Sequence, residues 1–157
     1  MIAYYEITKG IYDHLKADPD INTVVIGSLD KIDINKQSIF PLGHILVGTT
    51  QFINGIVRFS LTISVMDIVD ITKEDLEKND EAWKGSDNRH DISNTMLNVL
   101  EGLDKSLKQG ALSLAGYELQ SMTAEPFEDR FDNLLTGWSA TFIIDIYNSI
   151  QNCSTGD

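Results

Sequence analysis

Apolar residues recur along this chain with two different periods, and each period predicts a different kind of element. In residues 2–17 they return at steps of three and four, a spacing that places them on one side of an α-helix. This predicted buried stripe consists of Tyr4, Ile7, Ile11 and Leu15. Asp18-Pro19 comes next, and we expect the helix to end there because proline disfavours helical backbone in the residue before it.

A second helical pattern follows His90. Its predicted buried stripe consists of Ile92, Met96, Val99, Leu100, Leu103 and Leu107. We expect Asp91 or Ser93 to cap its start, because a short polar side chain accepts hydrogen bonds from the free backbone N–H groups there. Gly110 is expected to end it, since glycine commonly follows the last residue of a helix.

A period of two predicts strands in much of the remaining sequence. Residues 42–48 run toward Asn54-Gly55, a pair typical of hairpin turns because both residues tolerate positive φ. Residues 59–65 then alternate apolar and hydroxyl side chains, so we expect one long antiparallel hairpin. Shorter strands are expected at residues 21–26 and 117–123, with a weak edge strand within 29–38. A long last strand is predicted from Trp138, with Ala140, Phe142, Ile144 and Ile146 on one side and Ser139, Thr141 and Asp145 on the other.

The order of these elements predicts an α+β fold, a mainly antiparallel sheet with a long β-hairpin and helices packed on one face. No internal repeat or low-complexity linker divides the sequence. We therefore expect a single domain over residues 1–150, followed by a polar C-terminal tail at residues 151–157.

Charge and composition narrow the possible partners. Acidic residues outnumber basic ones 24 to 12, a net charge of −12, which disfavours stable binding of DNA or RNA because such surfaces concentrate lysine and arginine. The single cysteine, Cys153, cannot form an intramolecular disulfide, and His14, His44 and His90 show no paired zinc spacing. We expect no metal, no cofactor, no signal peptide and no membrane span, and therefore a protein assembled in a cytosol.

Residues 126–138, PFEDRFDNLLTGW, form the densest cluster of groups that could do chemistry. Glu128, Asp129 and Asp132 can be interpreted as the paired carboxylates of a small hydrolase. However, the sequence contains no Gly-rich phosphate loop, no Gly-x-Ser-x-Gly elbow and no HExxH motif. Neighbouring acids are expected by chance among 24 of them, and they usually stay solvated. We therefore expect no catalytic residue, and the hydrolase is the less favoured alternative.

Arg130 suggests that the same cluster is a contact surface. We expect a turn that starts the last strand, in which Arg130 pairs with Glu128 or Asp132, or with an acid on another subunit. Two other segments project: the hairpin tip at residues 50–56 and the charged connection at residues 70–89. The predicted interface residues are Arg130, Asp132, Phe127, Phe131, Trp83 and Asn54.

This cluster also resembles a motif found in proteins of tailed-phage structural gene clusters. The motif has the form Pro-Phe-x-(Asp/Glu)-Arg-x-Asp-Asn-x-x-x-Gly-Trp and leads into an alternating strand, as residues 126–138 do. The wider layout is similar to the phage tail terminator (tail completion) family, with an N-terminal helix, a Pro-x-x-His-Ile strand at residues 41–45, a long hairpin, a central helix and a final strand pair. The likeness of layout covers most of the chain.

The resemblance implies a structural subunit of the virion tail or neck, assembled in the host cytoplasm. Copies would form a ring, expected to be a homohexamer, that caps the tail tube, ends tail growth and offers the head-joining surface. The implied partners are the tail tube protein and neck or connector proteins, and DNA would pass through the lumen without specific binding. Net charge alone leaves open whether the acidic residues line the lumen or the exterior of the ring. No catalytic residues carry over from the family. The alternative is another head–tail connector, neck or baseplate subunit.

Overall fold

The computed structural model describes residues 3–29, 36–69, 88–130 and 134–147. In chain order they form α1 (Ala3–Ala17), β1 (Thr23–Ile26), a 3-10 turn (Gln37–Ile39), β2 (Leu42–Ile53), β3 (Ile56–Ile68), α2 (Arg89–Gln109), the one-turn helix α3 (Ala111–Leu114), β4 (Tyr117–Arg130) and β5 (Leu135–Tyr147). The strands form one sheet in the order β1-β2-β3-β5-β4, and α1 and α2 pack on it. The predicted α+β fold is confirmed.

The pairing of the strands confirms the predicted hairpin. β1 runs parallel to β2, and the other neighbouring strands are antiparallel. The hairpin of β2 and β3 turns at Asn54 and Gly55, where Gly55 has a φ of +74°. A β-bulge interrupts its register between Val47 and Thr50. Residues 37–39 form the 3-10 turn rather than part of the expected edge strand, while residues 30–35 of that prediction lie outside the described chain.

α1 packs against β1 and β2 with the stripe that its sequence predicts, apart from one residue. Ile7, Ile11 and Leu15 are buried, but Tyr4 is 49% exposed and Ala3 is buried in its place. Steps of four from Ala3 keep these side chains on one side of the helix, whereas Tyr4 lies about 100° further round. The prediction that Tyr4 is buried is wrong for this reason.

α2 packs against β3, β4 and β5 and buries all the apolar residues of its predicted stripe. The predicted caps are wrong, because the helix starts earlier and places Asp91 and Ser93 inside its first turns. Asn88 holds the cap position, and its side-chain amide donates a hydrogen bond to the Ile68 carbonyl at 3.4 Å. Gly110 ends the helix as predicted. Among the described residues, no helix has the length and apolarity that crossing a membrane requires.

The face of the sheet away from α1 and α2, hereafter the helix-free face, carries a small apolar cluster at one end. The register places Leu42, Met66 and Phe127 in one row on this face. Phe40 and Leu135 complete the cluster. Because Phe40 lies just before β2, the chain that leads into the hairpin covers this end of the helix-free face.

Residues 126–130 form the last part of β4, so the prediction that they form a turn is wrong. Pro126 pairs with Trp138 of β5, and the register shifts between Phe127 and Arg130. A strand can include proline here because β4 lies at the edge of the sheet, where a missing N–H on the open side removes no ladder bond. Residues 131–133 of the motif lie outside the described chain.

Gly137 permits an unusually close approach of β5 to β3, which gives a test of the fold. A Cβ atom at this position would lie 1.9 Å from the Val65 carbonyl oxygen. We expect Gly137→Ala to destabilise the chain by more than about 4 kcal/mol, beyond the usual effect of a single substitution. The matched control is Gly102→Ala in α2, where nothing lies within 4 Å of the added carbon. Because alanine favours the helix more than glycine does, this change should raise the free energy of unfolding by about 0.5–1 kcal/mol. Urea unfolding measures both changes, and equal midpoints for the two variants would contradict this expectation.

Candidate assembly surfaces

The predicted interface residues lie in different environments. Asn54 is exposed at the hairpin turn, whereas Phe127 is 7% exposed and packs in the apolar cluster of the helix-free face. Arg130 is the last residue of β4, and it pairs with Leu135 in the ladder. Phe127 therefore packs within its own chain, and Asn54 lies on an accessible surface. Trp83, Phe131 and Asp132 lie outside the described residues.

Large apolar side chains are exposed next to Asn54. Phe52 is 74% exposed, Ile53 43% and Tyr147 64%. Ile53 and Tyr147 both pair with Ile56 and so share the helix-free face, while Phe52 pairs with the buried Val57 and lies on the helix side. Single exposed apolar residues are ordinary, but three of them around one end of the hairpin, on both faces of the sheet, form a candidate contact surface. Phe52, Ile53 and Tyr147 are hereafter the hairpin patch.

The outer edge of β2 is open along the same stretch. β1 pairs only with residues 42–45, and within the described part of the chain no strand lies beside residues 46–53. Their sequence, LVGTTQFI, contains no charged residue and no proline. Natural sheets protect open edges with charges, proline or bulges. The open edge of β2 has one of these protective features, the bulge between Val47 and Thr50.

Hydroxyl side chains cover the middle of the helix-free face. By the strand register, this group consists of Ser60, Thr62, Ser64, Thr123, Ser139 and Thr141. Ser64 and Ser139 lie opposite each other on β3 and β5, with their Oγ atoms 3.1 Å apart. These serine and threonine side chains are polar but uncharged, so this part of the face has little electrostatic attraction for a phosphate backbone.

An ion pair between Arg58 and Asp145 lies on the same face. The Nε and Nη2 atoms of Arg58 donate hydrogen bonds to the two carboxylate oxygens at 2.7 and 2.9 Å. This bidentate geometry is the strong form of the interaction, and the hydrogen bond to Asp145 raises the pKa of Arg58 above its ordinary value. Asp145 is only 3% exposed. The sequence places Asp145 on the polar side of the last strand, but no signal in it identifies Arg58 as the partner.

A cleft of about 430 Å³ lies between the start of α2 and the connection from α1 to β1, and its lining includes Asp20, Asp67 and Asp91. Among the described residues, no group of three or more His, Cys, Asp or Glu side chains is placed to hold a metal ion. Burial raises the pKa of Asp67, whose Oδ1 accepts a hydrogen bond from the Ile68 N–H at 2.8 Å. The cleft thus brings acids near one another without the geometry of a cation site.

The acids of the hydrolase alternative are not among the residues that line this cleft. Glu128 is exposed on β4. Only the backbone of Asp129 is described, and Asp132 lies outside the described residues. Glu128 therefore lies on an open strand surface rather than in this cleft.

The Arg58–Asp145 pair gives a second test. We expect Arg58→Met to destabilise the chain more than the loss of an exposed ion pair does, because it leaves the Asp145 carboxylate, which is 3% exposed, without its partner. The loss of stability should be smaller than for a fully buried ion pair, because the Arg58 side chain is 36% exposed and water reaches it. The control is Lys9→Met, which breaks the exposed Lys9–Asp13 pair of α1 and should cost at most about 0.5 kcal/mol. Equal losses of unfolding free energy for the two variants, measured by chemical unfolding, would contradict a stabilising role for the Arg58–Asp145 pair.

Asp67 gives a test that depends on pH. Because its pKa is raised in the folded chain, ionised Asp67 opposes folding at neutral pH, and this effect disappears as pH falls through the folded pKa toward the ordinary value of 3.8. We therefore expect Asp67→Asn, which keeps an acceptor for the Ile68 N–H, to raise the Tm at pH 7, with a smaller gain at pH 4. The control is Thr136→Val. Thr136 pairs with Asp67, and its buried hydroxyl has no hydrogen-bond partner in the described chain. Thermal unfolding should show a change for Thr136→Val that is independent of pH, and a gain for Asp67→Asn that grew on acidification would contradict the assignment.

Comparison with known proteins does not assign a family. No family model matches the chain, and no curated protein matches it. A function is therefore inferred from the surfaces described above, together with the resemblance carried by residues 126–138.

Proposed function

We propose that this chain is a structural subunit that assembles with copies of itself into a ring on the end of a phage tail tube. The ring ends tail growth and provides the surface to which the filled head attaches. The resemblance of residues 126–138 and of the overall layout suggests this role. The hairpin patch is the structural observation that best supports it.

The hairpin patch favours contact between copies of an acidic chain. With a net charge of −12, two copies repel each other wherever their acidic surfaces meet. The patch and the open edge of β2 at residues 46–53 provide uncharged surface, where copies can approach and bury apolar area worth about 25 cal/mol per Å². A ring requires such a contact on every subunit, repeated head to tail until it closes.

The helix-free face supports the passage of DNA through the ring. Its middle is covered by uncharged hydroxyl side chains, and Asp145 neutralises the Arg58 guanidinium. A lumen lined in this way is polar, but it lacks the lysine and arginine side chains that would bind the phosphate backbone. We therefore assign the helix-free face to the lumen and the helices to the outside of the ring, so that Phe52, on the helix side, is the residue of the hairpin patch assigned to the contact between copies.

A neck, connector or baseplate subunit is the alternative, because it would use the same contact between copies at another place in the particle. Electron microscopy of particles assembled without this protein separates the two roles. Headless tails of irregular length are expected for a tail terminator. Tails of uniform length would favour the alternative.

Self-association gives a direct test in solution. Light scattering at several concentrations should give a particle several times the chain mass of 17.5 kDa. A chain that stayed monomeric at every concentration and failed to cap purified tail tubes would contradict the proposed function.

Substitution in the hairpin patch tests which surface forms the contact. We expect Phe52→Ala to raise the concentration needed for association at least about tenfold, which corresponds to the roughly 1.4 kcal/mol or more expected for a buried aromatic contact. Tyr5→Ala is the matched control, because Tyr5 on α1 is 75% exposed and Phe52 74%. Association measured by light scattering should be unchanged by Tyr5→Ala. Equal effects of the two substitutions would argue against the patch.

A further inference from the structure

The two long edges of the sheet are open at the same level. Through the ladders of β3 and β5, Phe52 of β2 lies level with Tyr117 of β4, and Val47 lies level with Met122. In the described part of the chain, β4 is the last strand of the sheet, and β2 has no neighbour beside residues 46–53. As far as the described residues go, each copy therefore presents two open backbone edges on opposite sides of the sheet.

The two halves of β4 differ in their protection against pairing. The second half contains Pro126 and three acids, Glu125, Glu128 and Asp129, which are features that prevent strand addition. The first half, residues 117–123, contains no proline, one charged residue, Glu118, and a register shift between Leu119 and Ser121. The second half lies level with the part of β2 that β1 covers, and the less protected first half lies level with the open part.

The strand directions allow these two open edges to join. Because β2, β3, β5 and β4 are antiparallel in succession, β2 and β4 run in opposite directions. A neighbouring copy related by rotation about an axis along the strands keeps those directions. Its β2 therefore meets β4 in antiparallel orientation, which is an ordinary sheet ladder.

A groove beside the first half of β4 matches the exposed ring of Phe52. The groove has a volume of about 440 Å³, and its apolar lining comes from Leu97 of α2 and from Leu119 and Met122 of β4. Charged side chains of α2 line the rest of it, namely Glu101, Asp104 and Lys108. Leu97 is 40% exposed. Phe52 lies on the helix side of β2, and Leu119 and Met122 lie on the helix side of β4. In the joined ladder Phe52 stands opposite Tyr117 and diagonal to Leu119, so its ring reaches the Leu119 end of the groove of the neighbouring copy.

We propose that successive copies of this chain are joined by strand addition, in which residues 46–53 of one copy pair with residues 117–123 of the next. Phe52 of the first copy then fills the groove between α2 and β4 of the second. A second copy is the partner because each chain carries both halves of the contact, and because the uncharged strand lets two acidic chains approach. This contact rests on the proposed ring function and supplies the head-to-tail interface that such a ring needs.

Disulfide trapping tests the strand contact. In a chain whose single cysteine is removed by Cys153→Ser, Gln51→Cys is combined with Glu118→Cys, Ser121→Cys or Thr123→Cys. All four positions are exposed and lie on the helix-free face, and the three combinations sample three registers of the new ladder. Opposed residues of antiparallel strands have Cα atoms about 4.5–5.5 Å apart, a separation that a disulfide spans.

After mild oxidation, we expect at least one double variant to give dimers, trimers and larger species on a non-reducing gel, while Gln51→Cys alone gives no cross-link. Dimers from Gln51→Cys alone would overturn the proposal, because they require two β2 strands to meet. An intact oligomer that no double variant cross-links would overturn the strand contact and leave the ring function standing. A chain that remained monomeric would overturn both.

The groove is tested separately on the cross-linking double variant. Leu97→Glu places a charge in the groove and should lower the cross-linked yield at least about tenfold, equivalent to roughly 1.4 kcal/mol. Leu114→Glu is the control, because Leu114 is 89% exposed on α3 and does not line the groove. Its yield should be unchanged. Equal yields from the two variants would overturn the assignment of the groove to Phe52.

Discussion

The uninterrupted ladder between β3 and β5 is the constraint on which the rest of the structure depends. Both strands have 13 residues, and they pair without a bulge from Ile56–Tyr147 to Ile68–Leu135. The helix side of the ladder forms the main core, and the other side carries the hydroxyl residues and the Arg58–Asp145 pair. β2 and β4 are hydrogen-bonded to opposite sides of this ladder. Their open edges therefore have a fixed position relative to each other.

Much of the fold follows from local signals in the sequence, and the errors occur where distant contacts decide. The hairpin was predictable because a period of two and the Asn54-Gly55 turn agree with each other. The start of α2 was not, because Asn88 is tied to the end of β3 by a hydrogen bond that joins residues 20 positions apart. Residues 126–130 favour a turn by composition, but pairing with β5 makes them a strand.

The candidate surfaces were less predictable than the fold because they depend on register. Arg58 and Asp145 are 87 positions apart, and their pairing depends on the alignment of β3 with β5, which periodicity does not specify. Phe52 and Ile53 have the composition of buried strand residues, yet they lie at the end of the sheet and are exposed. Conversely, Phe127 belongs to a cluster that looked like a surface motif in sequence and is buried.

The short length of β1 explains why, among the described strands, none pairs with the outer edge of β2 at residues 46–53. β1 has four residues, while β2 has 12, and Gly27 follows β1 with a φ of +96°, a conformation that other residues rarely adopt. The Gly27 N–H bonds to the Ile45 carbonyl at 2.9 Å, and the His44 ring contacts the Gly27 carbonyl, so this turn is held in place. A longer β1 would cover residues 46–53. Since an unprotected edge invites association, a chain that ends β1 here with a fixed turn leaves that strand available to a partner.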